Sequence, residues 1–365
     1  MVRLGDVCKK ASSNIAQKDL EEHSGKYPIY GASGLIKHVD FYQQEQPYIA
    51  VVKDGAGIGR VMKLPAKSSV IGTMQYIIPN DTVDISYLAY AMEYMNLSKY
   101  FSGATIPHIY FKDYQKETLP LPPLDEQRCI AATLDKVTDL ISKRRQQLDK
   151  LDELVKARFV EMFGDPESND KNWPVLPMSK ICSVGSSKRI YQSEQSSSGV
   201  PFWRISDLTN LITTGTVTSE LYIPEERYKK LKSQGQVPAP GDILITSRGT
   251  LGQCYIVKVN DKFYFQDGMI SWLSGYVDGV TPLYISYLFM MPGFRKQIDS
   301  MQAGSTVAYL SIAMIKKLKV MLPDIESQQQ FASFVGKTEK AKTTISRSLE
   351  KLETLKKALM QECFG

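Results

Sequence analysis

Two short stretches of this chain combine a cation with closely spaced glycines. Lys53-Asp54-Gly55-Ala56-Gly57 and Ser247-Arg248-Gly249-Thr250 each follow a run of strand-forming residues. Glycine lets a backbone come close to a phosphate, and a short turn beside a strand presents its side chains outward. The chemistry open to such loops is contact with a polyanion. Cations meet phosphate oxygens, arginine can bond guanine through two donors, and glutamine or asparagine can do the same for adenine. Lys53 and Arg248 are the leading candidates for such contact. Arg60, Lys63 and His108 follow in the first half, and Arg189, Arg204 and Lys258 in the second. Gln75, Gln253 and Gln266 are possible base readers. The plainer alternative is a pair of strand-to-strand hairpins carrying solvated cations. Trp203 reads more readily as a core residue than as a stacking platform for a base.

Other chemistry finds little support. His23, His38 and His108 are the only histidines, and none sits with Cys, Asp or Glu at ligand spacing, so no metal site is expected. The Phe-x-Gly-x-Gly loop and the Asn-Pro-Pro-Tyr or Asn-Pro-Pro-Phe tetrapeptide that an amino-group DNA methyltransferase needs do not occur. Gly55-Ala56-Gly57-Ile58-Gly59 is glycine-rich, but Arg248-Gly249-Thr250-Leu251-Gly252 is its counterpart, so a duplicated turn explains it better than a cofactor loop. There is no Walker A sequence. Pro323-Asp324 runs straight into a helical pattern and does not open a nuclease cluster. No catalytic residue and no cofactor are expected.

The elements that must position these loops are written twice. Leu121-Pro122-Pro123-Leu124-Asp125-Glu126-Gln127 returns as Leu322-Pro323-Asp324-Ile325-Glu326-Ser327-Gln328, and Phe163-Gly164 returns as Phe364-Gly365. Gly103-Ala104-Thr105 returns as Gly304-Ser305-Thr306, and Leu4 to Cys8 matches Met178 to Cys182. Strands are expected at Tyr48–Val52, Gly57–Met62, Tyr76–Pro79 and Gly241–Thr246. Shorter helices are expected over Ile85–Tyr100 and Leu283–Phe294. The matches stand 174 residues apart at the starts, 193 at the glycine loops and 201 beyond. The insertions therefore lie in the globular parts, and the segments after them keep a fixed length.

Those fixed segments read as long helices over Asp125–Glu161 and Glu326–Glu362, the first with Asp125 as N-cap. Leu134, Ile141, Leu148 and Val155 recur every seven residues, with Val137 and Leu151 between them, which is a coiled-coil seam. Val335, Ile345, Leu349, Leu352, Leu355 and Leu359 form the second stripe. Arg144 interrupts the first seam where Ile345 stands in the second, and Lys342 interrupts the second where Ile141 stands in the first. That pattern favours the two helices pairing antiparallel with each other over each lying on its own domain. At about 1.5 Å per residue, such a helix is roughly 55 Å long.

Composition bounds the class. With 365 residues and 43% hydrophobic content, the chain can bury two ordinary domain cores. No apolar run is long enough to span a bilayer, and the start MVRLGDVCKK has no apolar signal core. Five scattered cysteines, none in CxxC spacing, suit a reduced cytoplasmic protein. Cys8 and Cys182 are repeat equivalents in apolar segments and read as packing residues. The net charge of +6 is concentrated: residues 171–322 carry 17 basic and 10 acidic side chains, whereas residues 122–170 carry 8 and 11. Charge alone is equally compatible with a solubilising surface.

The ordered set resembles the specificity subunit of type I restriction-modification enzymes. The residues that carry the resemblance are Leu119 to Gln127 with the helix and Phe163-Gly164 after them, then Gly241 to Gly252, then Gly304-Ser305-Thr306. The second turn departs from the pattern at Asp324 and Ser327, and the chain is short for the family. The resemblance covers the whole chain and implies an α+β fold with a pseudo-two-fold internal repeat. Target recognition domains of mixed strands and short helices would occupy 1–121 and 165–322. Two antiparallel coiled-coil helices, at 122–164 and 323–365, would act as spacer. It implies a non-catalytic subunit that reads two half-sites of double-stranded DNA. Its partners would be two modification subunits, which are adenine methyltransferases carrying the S-adenosylmethionine site, and motor-nuclease restriction subunits. Half-sites about one helical turn apart, roughly 34–36 Å, suit a two-fold reader. A stand-alone DNA-binding regulator or scaffold of the same architecture is the competing reading.

Overall fold

The computed structural model describes residues 1–103, 107–302 and 308–365. The repeated Gly-x-Thr triplets expected at 103–105 and 304–306 lie outside the described residues, apart from Gly103. The chain divides into two compact units. The first joins Met1–Gln147 to Ile345–Gly365, and the second is Leu148–Thr344. Each long helix therefore contributes to both units.

In the first unit the strands are β1 (Val2–Arg3), β2 (Cys8–Ser12), β3 (Tyr27–Gly31), β4 (Gly34–Val39), β5 (Tyr48–Val52), β6 (Val61–Leu64), β7 (Ser69–Val70), β8 (Met74–Pro79) and β9 (Thr118–Leu119). In the second they are β10 (Val175–Pro177), β11 (Ser183–Gly185), β12 (Val200–Trp203), β13 (Tyr222–Ile223), β14 (Ile243–Thr246), β15 (Cys254–Ile256), β16 (Tyr264–Phe265), β17 (Ile270–Ser274) and β18 (Lys319–Met321). The sheets match strand for strand. The order β2-β8-β5-β6 is repeated as β11-β17-β14-β15, β4-β3-β7 as β13-β12-β16, and β1-β9 as β10-β18. A parallel pairing, β3 with β7 and β12 with β16, is shared as well. The repeat seen in the sequence is a repeat of topology.

The drift between copies is now placed. Tyr30 and Trp203 are equivalents at an offset of 173, because Ile71 and Gln266 donate to their respective carbonyls. Ile49 and Ile243 occupy the same register at an offset of 194. The intervening insertion in the second unit builds the helices Ile205–Thr214 and Glu225–Ser233. The shorter helices also differ from expectation. The first ends at Tyr94, where Asn96 adopts a left-handed φ of 51° and starts a short 3-10 turn. The second is broken into Pro282–Met290 and Pro292–Ser300, because Pro292 has no N–H to continue the ladder. Gly57 to Arg60 form a turn, and β6 begins only at Val61.

The long helices run Leu124–Phe163 and Ile325–Phe364. Asp125 lies inside the first helix instead of capping it. In the second, Asp324 Oδ1 accepts from the Ser327 N–H at 2.7 Å, and the Ser327 hydroxyl bonds the other carboxylate oxygen. The two residues that depart from the motif therefore make an N-cap. The shared glutamine has a structural task in both copies. Gln127 and Gln328 are fully buried. Gln127 Oε1 accepts from the Asp84 N–H at 2.9 Å, and its amide donates to the carbonyls of Thr82 and Pro122. Gln328 Oε1 accepts from the Thr281 N–H, also at 2.9 Å, and its amide donates to Gly279 and Pro323. Asp84 and Thr281 are themselves the N-caps of the helices Ile85–Tyr94 and Pro282–Met290. One buried amide thus ties the start of each long helix to the start of a domain helix.

Within each unit the two long helices run antiparallel. In the first, Ala131 and Leu134 share a core with Met360 and Phe364, while Arg145 pairs with Glu353 at 2.6 Å. In the second, the Phe159 and Phe331 rings are 5.5 Å apart, while Asp152 pairs with Lys342 at 2.8 Å. The interruption at Lys342 is therefore answered by a carboxylate on the facing helix. Each domain also holds the end of a long helix by an aromatic pair. The Tyr87 ring lies 5.1 Å from Phe364 and the Tyr284 ring 5.0 Å from Phe163. Their hydroxyls donate to the carbonyls of Pro120 and Met321. Of the expected seam residues, Leu134, Ile141, Val155 and Val335 are buried. Leu148, Leu151, Ile345, Leu349, Leu352 and Leu359 are half-buried.

Candidate nucleic-acid interface

The two glycine-flanked loops sit at the same place in the two units. Lys53 and Ser247 are equivalents, because their carbonyls accept from Ile109 and Leu310 at 3.0 Å and their N–H groups bond the carbonyls of Thr73 and Met269. Asp54 and Arg248 then occupy the next position. Each is bridged to the segment just before Ile109 or Leu310, Asp54 with His108 and Arg248 with Tyr309. Gly55, Gly57 and Gly249 have positive φ, and a Cβ on Gly55 or Gly249 would meet open space. Their requirement for glycine is conformational, which leaves the backbone open to a close approach. Gly59 and Gly252 differ, since both are positive-φ residues crowded from behind. A Cβ on Gly59 would lie 2.5 Å from the Ser98 nitrogen, and one on Gly252 3.1 Å from Ile298 Cδ1.

The side chains on these loops differ in chemistry. In the first unit the Asp54 carboxylate is bonded by Lys53 Nζ on one oxygen and His108 Nδ1 on the other. His108 and Ser102 exchange backbone bonds at 2.9 Å, and Tyr110 packs on the imidazole at 4.1 Å. In the second unit the Arg248 guanidinium is exposed and lies 5.4 Å from the Tyr309 ring centre, in cation–π contact. The Tyr309 backbone is held by the Gln302 side chain, which accepts from its N–H at 2.9 Å and donates to its carbonyl at 3.1 Å. A side-chain amide in the second unit does what a backbone pair does in the first.

The remaining candidates are more dispersed. Arg60 is exposed beside the first loop and donates to the Ala32 carbonyl at 2.7 Å. Lys63 bonds Ser86 at 2.8 Å and faces Asp135 of the long helix, away from that loop. Gln75 is a core residue. It is 2% exposed and its amide donates to the Tyr114 hydroxyl, which keeps it from any base edge. Arg189 is exposed and paired with Asp267 at 2.9 Å. Arg204 is half-buried near Asp207 and Glu220. Lys258 is exposed over the Tyr255 ring. Gln253 and Gln266 are half-buried, and their N–H groups bond Thr246 Oγ1 and the Trp203 carbonyl. Trp203 is core, stacked on Phe263 with ring centres 3.7 Å apart. Tyr309 was missed by sequence reasoning. The only available signal was its offset of 201 from His108.

Cys8 and Cys182 are buried, and burial pushes each thiol up to about 12. Among the described residues no group of His, Cys, Asp and Glu could hold a metal ion, and no helix is long and apolar enough to cross a membrane.

Over 89% of this chain and 83% of its own length, the putative type I restriction enzyme specificity subunit S.HindORF215P of Haemophilus influenzae is 24% identical. The type I restriction enzyme MjaVIII specificity subunit of Methanocaldococcus jannaschii is 25% identical over 99% of this chain and 90% of its own. The crystal structure of a type I restriction-modification system S subunit from M. genitalium shares the fold with a TM-score of 0.59. It has 16% identity and covers all of this chain and 95% of that one. A structure from work on complex assembly of a type I system gives 0.55 at 16% identity, covering 99% and 96%. The family model for the type I restriction modification DNA specificity domain matches residues 1–152 and again 170–356, and the chain belongs to that family.

Proposed function

We propose that this chain is the subunit that gives a type I restriction-modification complex its DNA address. Its two globular parts, at 1–121 and 165–322, each read one half of a bipartite target. The paired helices at 122–164 and 323–365 serve as spacer and as the platform for two adenine methyltransferase subunits, with restriction subunits joining the assembly. The chain supplies no chemistry of its own. Methylation needs the base flipped into a partner's pocket.

The observation that carries this reading is the repeated sheet plan with unlike loops. The strand order is the same in both units, while the second residue after β5 or β14 is Asp54 in one and Arg248 in the other. A single scaffold with two different contact surfaces is what an asymmetric two-part DNA sequence requires. Arg60, Lys53 and His108 in the first unit, and Arg189, Arg204, Arg248, Gln253, Lys258 and Gln266 in the second, are the proposed contact residues.

The test is co-expression with a modification subunit from a type I system, followed by isolation of the complex and sequencing of methylated DNA. A stable complex methylating a bipartite sequence is expected. Methylation by the chain alone would overturn the reading. Tight sequence-specific binding without any complex would favour a stand-alone regulator. Exchange of residues 171–322 for another recognition domain should change one half-site only.

A further inference from the structure

The two loops share more than a place. In each unit the second residue past β5 or β14 meets a residue from a segment far along the chain, Asp54 with His108 and Arg248 with Tyr309. The backbone N–H and carbonyl of the distant residue are both bonded in each unit, by the Ser102 backbone in one and by the Gln302 side-chain amide in the other. The hydrogen bonds of the preceding residue, Lys53 or Ser247, are the same in both units, while the residue that follows is an aspartate paired with Lys53 and His108 in one and an arginine in the other. Structural necessity would preserve the pair along with its surroundings. A contact that must differ between two half-sites would not.

We propose that this pair is the base-reading station of each unit, that Arg248 reads a guanine, and that the Asp54 station reads an amino-bearing base, adenine or cytosine. This rests on the DNA-reading function proposed above. Arg248 is exposed and, among the described residues, has no carboxylate within ion-pairing distance. Its planar fork is oriented by the Tyr309 face, a hold that leaves its N–H donors available. Such a fork matches the O6 and N7 acceptors of guanine in the major groove. Tyr309 is a positioning residue, and Gln302 fixes it. The Asp54 carboxylate offers only acceptors and retains lone pairs beyond those used by Lys53 and His108. It suits the N4 amino group of cytosine or the N6 amino group of adenine and repels the acceptor edge of guanine.

The experiment uses the complex of the full chain with its modification subunits and a pool of random-sequence duplex DNA, with methylated molecules sequenced. For Arg248→Lys, discrimination at one guanine of one half-site should fall by about tenfold to a hundredfold. The salt dependence of binding should stay unchanged, because the charge is kept. Arg248→Gln should move the preference at that same position toward adenine. Asp54→Ala should relax one position of the other half-site, at which the unaltered complex selects adenine or cytosine. An Arg248→Lys complex with every position unchanged overturns the proposal. So does an Arg248→Gln complex that loses affinity evenly over all sequences with a salt slope lower by about one, which marks a phosphate contact. An unaltered complex with no sequence preference overturns the proposed function itself, and is distinguishable from either.

Discussion

The two globular units have one strand plan and two ways of covering it. In the second, the outer face of the sheet β11-β17-β14-β15 is capped by the helix Ile205–Thr214. Its Leu208, Leu211 and Ile212 pack with Leu244, Tyr255 and Val257. In the first, no such helix is inserted among the described residues. Tyr48 and Tyr76 close the face instead, their rings 4.9 Å apart and their hydroxyls bonded to Ser68 and Gln43. The opposite face, which meets the helix Ile85–Tyr94 or Pro282–Met290 and the long helices, is built alike in both. The lesson is a division of labour across one sheet. The side that joins the helices keeps its parts, down to the glutamine and the aromatic pair, and the side away from them is free to change.

That comparison can be broken most sharply at the helix ends. Phe159 is fully buried among Phe163, Phe331 and Tyr284, and Met360 is its counterpart in the first unit. Phe159→Ala should cost about 3–5 kcal/mol and Met360→Ala less, about 2 kcal/mol. Thermal or denaturant unfolding of the full chain reads both. Equal losses would mean the two ends are packed to the same quality.

The duplicated amide comes next. Gln127→Leu and Gln328→Leu should each cost about 2–3 kcal/mol, since each strands a buried N–H and two carbonyls. Hydrogen exchange should locate the loosening at Asp84 in one variant and at Thr281 in the other. A loss in one copy only would show that the latch is not shared.

The caps sharpen a smaller difference. Asp84 accepts from two N–H groups at 2.9 and 3.0 Å, whereas Thr281 accepts one at 3.3 Å. Asp84→Ala should cost about 1 kcal/mol and Thr281→Ala less, measured in the same unfolding experiment. Smallest of all is the exposed pair Arg145 and Glu353. Glu353→Gln should change stability by about 0.5 kcal/mol or less, and that little should vanish in high salt.

The thiols give a prediction without a substitution. A thiol reagent at pH 8 should label exposed Cys129 in the folded chain and spare Cys8 and Cys182, whose burial both blocks access and disfavours the thiolate. Labelling of Cys8 but not Cys182 would show that the first unit opens more readily.

Much of the fold was legible because it rests on local signals. The long helices follow from a seven-residue apolar period, uninterrupted by proline or a turn. The glycine loops follow from positive-φ requirements that only glycine meets cheaply. Gln75 was misread because β8 is buried on both faces, so alternation could not separate its core side from an outer one. Lys63 was grouped with the loop cations because sequence neighbourhood does not reveal that its strand points it toward Ser86 on a helix.

By itself the sequence determined that there are two copies of one unit, where their long helices lie, and which glycine-flanked loops carry a cation. Those facts depend on residue type and spacing along the chain. Only the tertiary structure decided that Asp54 meets His108 and Arg248 meets Tyr309. It alone decided that Gln127 and Gln328 tie helix to helix, and that Asp152 answers Lys342. Each of these joins residues more than forty positions apart. No local pattern fixes such a partner, because the closure of a long loop is rewarded only when the rest of the domain has packed around it.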